Sequence, residues 1–332
     1  MANPPDRHPD ATMSPVKKVL RRLPTSPRAT ARMAYALRPR SAGFPFTAPA
    51  WPSGVPRPLQ EETLGAGYDT DWARRYGVRL ARAIVVDDIE RPIVRLVARP
   101  RIEGVDRIAA IESPVVFAAN HASHADTPLV LTSLPDRFRH HTVVAAGADY
   151  FFDTRLKAHL SAFLIGAVPI DRHKVSRRSA DLPARLMADG WSLLIFPEGS
   201  RSPDGWGHEH RGGAAYIGTR TGRPVVPVHL RGTRKVLKRG ATIPTPSRTS
   251  VTFGAPLHPG ETESSRAFAG RIEQAIEVLA DEAASGFWDA RRRAAAGTTP
   301  SLRGPDATSW RRSWALGDNR RRVRPPTSWP EL

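Results

Sequence analysis

The 332-residue sequence contains no cysteine, which excludes disulfides, thiolate metal sites and a cysteine nucleophile. Its first thirty residues hold arginines and prolines but no apolar stretch long enough for a signal-peptide core. No run approaches the roughly 20 apolar residues that a bilayer crossing needs, and passages such as 160–170 are far shorter. A chain of this kind, if it meets a membrane, lies on it. The expectation is no transmembrane helix and no signal peptide and, where a membrane is met, a peripheral location at its cytoplasmic face.

Acids are outnumbered by bases, 32 to 50, for a net charge of +18. The excess sits at the ends. Residues 1–60 carry ten Lys/Arg against two Asp, and residues 286–332 carry ten Arg against four acids, leaving +4 for the 225 residues between them. Twelve of the 32 prolines also fall in the first sixty residues. We therefore expect a disordered Pro-rich basic tail over 1–60 and a basic C-terminal tail over 286–332 containing Trp310, Trp314 and Trp329. Such tails are solvated charge runs or electrostatic tethers to anionic lipid or nucleic acid. A nucleic-acid-binding protein would carry its basic face on the folded domain, so that class stays an alternative and no nucleic acid is expected as partner.

Over 61–95 the pattern is that of an amphipathic helix. Asp69 and Asp71 supply an acidic start, Trp72, Tyr76, Leu80 and Ile84 recur four apart, and Arg74, Arg75, Arg79 and Arg82 form the polar face. Such a helix packs on the domain or lies in a membrane interface. From 96 to 285, short apolar runs at 115–119, 143–146, 192–196, 225–229 and 251–253 read as strands. They alternate with helical patterns at 177–188, 213–221 and 261–284. This predicts an α/β fold, a single layered domain with a mixed, mostly parallel sheet flanked by helices. Pro227 inside one strand predicts an edge or a bulge.

The first segment with chemistry is Asn120-His121-Ala122-Ser123-His124-Ala125-Asp126, directly after the run 115–119. The carboxyl end of a strand is where α/β sheets place ligands. There Asp126 can fix the tautomer of His121 and raise its basicity while the other ring nitrogen takes a proton. Three other assignments remain open for this segment alone: a Ser123-His121-Asp126 triad, a metal site using His121, His124 and Asp126 with recruited His208 and His210, and a packed histidine beside a turn carboxylate. Phe196-Pro197-Glu198-Gly199-Ser200-Arg201-Ser202 ends another apolar run with an arginine beside a glycine, a natural clamp for phosphate or carboxylate. Gly166-Ala167-Val168-Pro169-Ile170-Asp171-Arg172 repeats that logic.

In this order, these blocks resemble the glycerophospholipid acyltransferase family, and within it the lysophosphatidate (1-acylglycerol-3-phosphate) acyltransferase branch. Asn120, His121, Ser123 and Asp126 match the family's Asn-His-x-Ser-x-x-Asp. Phe196, Pro197, Glu198, Gly199, Arg201 and Ser202 match its Phe-Pro-Glu-Gly-x-Arg-Ser, and Val226, Pro227 and Val228 its apolar Val-Pro-Val block. Gly166, Ile170 and Arg172 match Gly-x-x-Phe-Ile-x-Arg, with Pro169 where the aromatic stands. The resemblance covers about residues 95 to 260.

It implies acyl transfer, without a bound cofactor, from an acyl-CoA or acyl-carrier-protein thioester to the hydroxyl of a lysophospholipid at an anionic membrane surface. His121 would be the general base, paired with Asp126, and no metal would be needed. Asn120, Ser123, Gly166, Arg172, Glu198, Gly199, Arg201, Ser202 and Pro227 would serve substrate binding. Among them Arg172 and Arg201 would hold the phosphate, and Val226 to Val228 would line acyl-chain space. Alternatives are a relative using a different lipid or polar acceptor, and a metal-dependent hydrolase.

Overall fold

The computed structural model describes residues 64–112, 114–171, 180–202, 205–238 and 240–304. Residues 1–60, Arg172, Trp310, Trp314 and Trp329 lie outside the described residues.

Seven strands form one sheet: β1 (Pro100–Glu103), β2 (Val116–Ala119), β3 (Thr142–Gly147), β4 (Ala167–Ile170), β5 (Ser192–Ile195), β6 (Val225–Arg231) and β7 (Thr249–Phe253). Their order is β1-β7-β6-β2-β5-β3-β4. Every neighbouring pair is parallel except β6 with β7, so the sheet is mixed and mostly parallel, as expected. Sequence patterning gives no sign of β1. It opens on Pro100 at the sheet edge, where a missing N–H forfeits no ladder bond.

The main helices are α1 (Tyr76–Ile84), α2 (Arg91–Ala98), α3 (Asp126–Ser133), α4 (Arg155–Leu164), α5 (Asp181–Ala188), α6 (Gly213–Thr221), α7 (Ser265–Ser285) and α8 (Phe287–Ala295). They cover both faces of the sheet, which is why β2 is apolar throughout rather than alternating. Phe117 and Ala119 join Val226, Val228 and Phe253 beneath α2 and α3. Val116 and Ala118 turn to the opposite face, with Val143, Leu193 and Val225 beneath α5, α6 and α7.

Residues 76–98 form one continuous helix, because α1 passes through a wide π turn, Val85–Glu90, directly into α2. It starts and ends later than the pattern over 69–84 suggests. Pro92 accounts for the wide turn, since it donates no hydrogen bond to the preceding turn and its ring needs room there. Orientation is the larger surprise. Arg82 is only 6% exposed, whereas Tyr76 (80%), Leu80, Ile84, Ile89, Ile93 and Leu96 (71%) face outward. Arg79 lies 5.0 Å over the Trp191 ring and donates to His141 Nε2 at 2.6 Å. Burial, with Arg79 and Arg74 beside it, lowers the Arg82 pKa to about 10. The five-residue step from Ile84 to Ile89 spans the π turn and keeps the outward stripe in line.

The region expected as a C-terminal tail is ordered over its first part, through α8 and on to Gly304.

Phe117 is fully buried between Phe138 and Phe253, with ring centroids 5.4 and 6.3 Å away. Phe117→Ala is expected to destabilise the fold by about 3–5 kcal/mol, read as a lower urea midpoint at unchanged slope.

Candidate active site

Strands β2 and β5 are neighbours at the centre of the sheet and run parallel. Their carboxyl ends therefore bring together loops that sequence separates, 120–126 and 196–202. His121 Nδ1 lies 2.8 Å from Asp126 Oδ2, and that oxygen also accepts the N–H groups of Ala122 and Ser123, each at 2.7 Å. A carboxylate oxygen only accepts, so Nδ1 carries the proton and Nε2 presents its lone pair. Asp126 is fully buried and opens α3, whose N-terminal dipole favours a negative charge there. Phe196 stacks on the imidazole at 4.1 Å and 22°, fixing the ring plane.

Glu198 joins two loops through backbone donors. Its Oε1 accepts His121 N–H at 2.8 Å and its Oε2 accepts His208 N–H at 2.9 Å. Burial pushes this carboxyl up to about 7. Ser202 N–H donates to the His121 carbonyl at 2.9 Å, so both backbone polar groups of His121 are held.

A cavity of about 940 Å³ is lined by His121. Its polar lining includes His124, Tyr150, Arg201 and Arg211, and its apolar lining includes Val144, Leu160, Leu164, Ile165 and Ile195. His124 Nε2 meets the Tyr150 hydroxyl at 3.2 Å, with the rings stacked at 5.5 Å. The Arg201 guanidinium lies 5.6 Å from the same tyrosine ring's centroid. Gly199 also lines the cavity; at φ +72° it occupies the left-handed region, and an added Cβ would come within 3.0 Å of Arg211 Nε. Among the described residues no three His, Asp or Glu side chains converge as a metal site.

Several residues expected at the substrate instead build the frame around it. Asn120 clamps β2 to β6, donating through Nδ2 to the Leu230 carbonyl (3.0 Å) and accepting Leu230 N–H (2.7 Å). Buried Ser123 gives its hydroxyl to the Leu237 carbonyl at 2.8 Å and accepts Ala125 N–H, which removes it from a nucleophile's position beside His121. Ser202 is buried, and its Oγ accepts Gly205 N–H at 2.7 Å. Gly166 sits at the amino end of β4, where an added Cβ would come within 2.7 Å of Arg82 Nη1; Ile170 and Asp171, at the carboxyl end, are the ones that line the cavity.

Pro227 sits at an irregularity of the kind expected, since pairing of β6 runs to Val228–Phe253 and resumes at Val225–Leu257 with one extra residue on the partner side. It lies in an interior strand, packed against Gly254. Its carbonyl points to the β7 side and accepts Gly254 N–H at 2.8 Å, so its missing N–H falls on that irregular side and not on the ladder to β2. Val226 and Val228 are fully buried in the core beneath α2 and α3 and do not line the cavity. The apolar space lies instead against β3, β4 and α4. Tyr150, Leu160, Leu164 and Arg211 carry no motif signal, since α4 and the turns that position them are legible only once the sheet is assembled.

Burial, with Arg201 and His121 nearby, holds the His124 ring down at about 4. An unfolded histidine takes its proton near 6.5, so His124 contributes stability that is lost as pH falls from 6.5 towards 4. Its Cε1 proton resonance is expected to titrate near pH 4, and His124→Phe should flatten that part of the stability profile.

Residues 99–231 match the family model described as Acyltransferase. The chloroplastic 1-acyl-sn-glycerol-3-phosphate acyltransferase BAT2 of Brassica napus is 30% identical over 149 residues, which is 42% of this chain and 39% of that protein. The chloroplastic 1-acyl-sn-glycerol-3-phosphate acyltransferase LPAT1 of Arabidopsis thaliana is 28% identical over 167 residues, 47% of this chain and 43% of that one. The chain thus spans about two fifths of these relatives' length. The crystal structure of the 1-acyl-sn-glycerophosphate (LPA) acyltransferase PlsC from Thermotoga maritima superposes with a TM-score of 0.51 at 24% identity, over 63% of this chain and 83% of that one. That last likeness is one of fold.

Proposed function

We propose that this chain, whose residues 99–231 are a domain of the acyltransferase family, moves a fatty acyl group from an acyl thioester to the free hydroxyl of 1-acylglycerol-3-phosphate, a step of phospholipid synthesis. The observation that carries this is the His121–Asp126 pair: Nδ1 is committed to the carboxylate, which leaves Nε2 as a base at a largely apolar cavity that also holds Arg201 and Arg211. The acceptor hydroxyl gives its proton to Nε2 as its oxygen attacks the thioester carbonyl. The tetrahedral intermediate then expels the thiolate, which recovers the proton from the imidazolium, while Asp126 stabilises that imidazolium. No acyl-enzyme is required, consistent with Ser123 being bonded elsewhere.

Arg201, with Arg172 supported by sequence alone, serves the acceptor phosphate. The apolar lining against β3, β4 and α4 serves an acyl chain. The donor is acyl-CoA or an acyl-carrier protein, and no bound cofactor takes part.

Both substrates are amphiphiles, and the domain has a surface suited to meeting them in a bilayer. None of the described helices is long and apolar enough to cross a membrane. The first part of the outward stripe, on α1, stands beside α4, whose Leu156, Leu160 and Leu164 are exposed while the last two also line the cavity. Exposed apolar side chains on adjacent helices, continuous with the cavity wall, favour docking on lipid by this face. The basic residues at 1–60 and 286–332 add attraction to an anionic leaflet.

With lysophosphatidate and acyl-CoA, His121→Ala is expected to lower turnover by about a hundredfold to ten-thousandfold; turnover equal to the parent's would end this mechanism. Arg201→Ala should raise the KM for lysophosphatidate and leave that for a phosphate-free monoacylglycerol nearly unchanged. Leu80→Glu combined with Ile84→Glu should release the protein from anionic vesicles in a sedimentation assay at unchanged thermal midpoint, and retained binding would locate the contact elsewhere.

A further inference from the structure

Beyond α8 the chain turns back over α7 and reaches the loop that Glu198 anchors. Glu277 Oε1 accepts the Ser301 hydroxyl at 2.7 Å and Leu302 N–H at 3.1 Å. Arg303 lays Nε and Nη2 on the two oxygens of Glu273 at 2.6 and 2.7 Å, a bidentate pair. Glu273 and Glu277 stand one turn apart on α7, so the segment is strapped along that helix.

The other side of the strap meets the active-site loop. Gly207 N–H donates to the Leu302 carbonyl at 2.9 Å. Gly304, at φ +71°, sits so close to Trp206 that a Cβ there would come within 2.2 Å of the indole. The next residue along, His208, gives its N–H to Glu198 Oε2, and Glu198 Oε1 takes the N–H of His121. Contacts thus run without a break from α7 through the strap, the turn 206–208 and Glu198 to the backbone of the histidine. The strap lies outside residues 99–231 that define the shared domain.

We infer that Leu302, Arg303 and Gly304 are positioning residues for His121, acting through the turn 206–208 and Glu198. The inference rests on the acyltransferase reading of the site. Glu198 is buried and satisfied by N–H donors from two different loops, so a shift of either donor moves the carboxylate and with it the other. Substrates are held by the cavity lining, which the strap does not enter. Losing the strap therefore moves the base relative to bound substrates without removing a binding contact, and a small displacement of a base costs rate rather than affinity.

The test uses the full chain with Arg303→Ala, with Gly304→Val, and with the paired exchange of Arg303→Glu and Glu273→Arg. With lysophosphatidate and acyl-CoA, each single variant is expected to lower kcat about tenfold while both KM values stay within about twofold, and the exchange should recover most of kcat. Amide hydrogen exchange should accelerate over 118–124 and 205–210 in the single variants. Parent-like kcat with parent-like exchange overturns the inference, as does a loss of activity that follows a lower thermal midpoint while protection at 118–124 is unchanged. A parent that transfers no acyl group refutes the reading of the site instead, and amide exchange then decides on the strap by itself.

Discussion

Buried carboxylates need donors, and the loops around His121 are arranged to supply them. Asp126 and Glu198 are fully or almost fully buried, and an uncompensated buried charge costs several kcal/mol. Asp126 is met by His121 and the N–H groups of Ala122 and Ser123, and Glu198 by the N–H groups of His121 and His208. His121 therefore contributes its ring to one acid and its backbone to the other. Any rearrangement of the loop that freed the ring would also disturb the donors of these acids, so the position of the imidazole is tied to the satisfaction of two buried carboxyl groups rather than to one hydrogen bond.

That requirement explains why the loops after β2 and β5 are polar while the strands beneath them are apolar on both faces. The sheet supplies a rigid edge, and the acids knit the two loops across it. Asn120 adds a clamp from β2 to β6, and Ser202 holds the His121 carbonyl. Motif residues that look like substrate ligands serve in this way to keep the backbone still. Under the proposed function the chemistry is a proton transfer over hydrogen-bond distance, for which a fixed backbone has a direct effect on rate.

Much of the fold was legible in the sequence because burial on both faces leaves an apolar run, and such runs marked β2, β3, β5 and β6 within a residue or two of their observed limits. His121 and Asp126 were legible because a strand end followed by a histidine and a nearby acid has a local geometry that needs no long-range information. Asn120, Ser123 and Ser202 were not, since a polar side chain near a site looks the same whether it faces a ligand or a backbone amide. The covered face of helix 76–98 was not legible for a related reason. Periodicity reveals that a helix has two faces but not which one the domain covers, and here Arg79 and Arg82 go inward onto Trp191, His141 and Gly166. The strap at Ser301 to Gly304 has no periodicity at all, being held by hydrogen bonds and ion pairs to residues far away in the chain.

The π turn at Val85–Glu90 separates two halves of a helix that answer to different neighbours: α1 is fixed by its inward arginines, α2 by Val94, Val97 and Ala98 against the core. The turn acts as a gear between them. Its job depends on how many residues it holds more than on what they are, since removing one would rotate α2 by about 100° relative to α1. The core would refuse that rotation in α2, and the exposed stripe would then break in two. This stretch of the chain should therefore accept changes of side chain far more readily than changes of length.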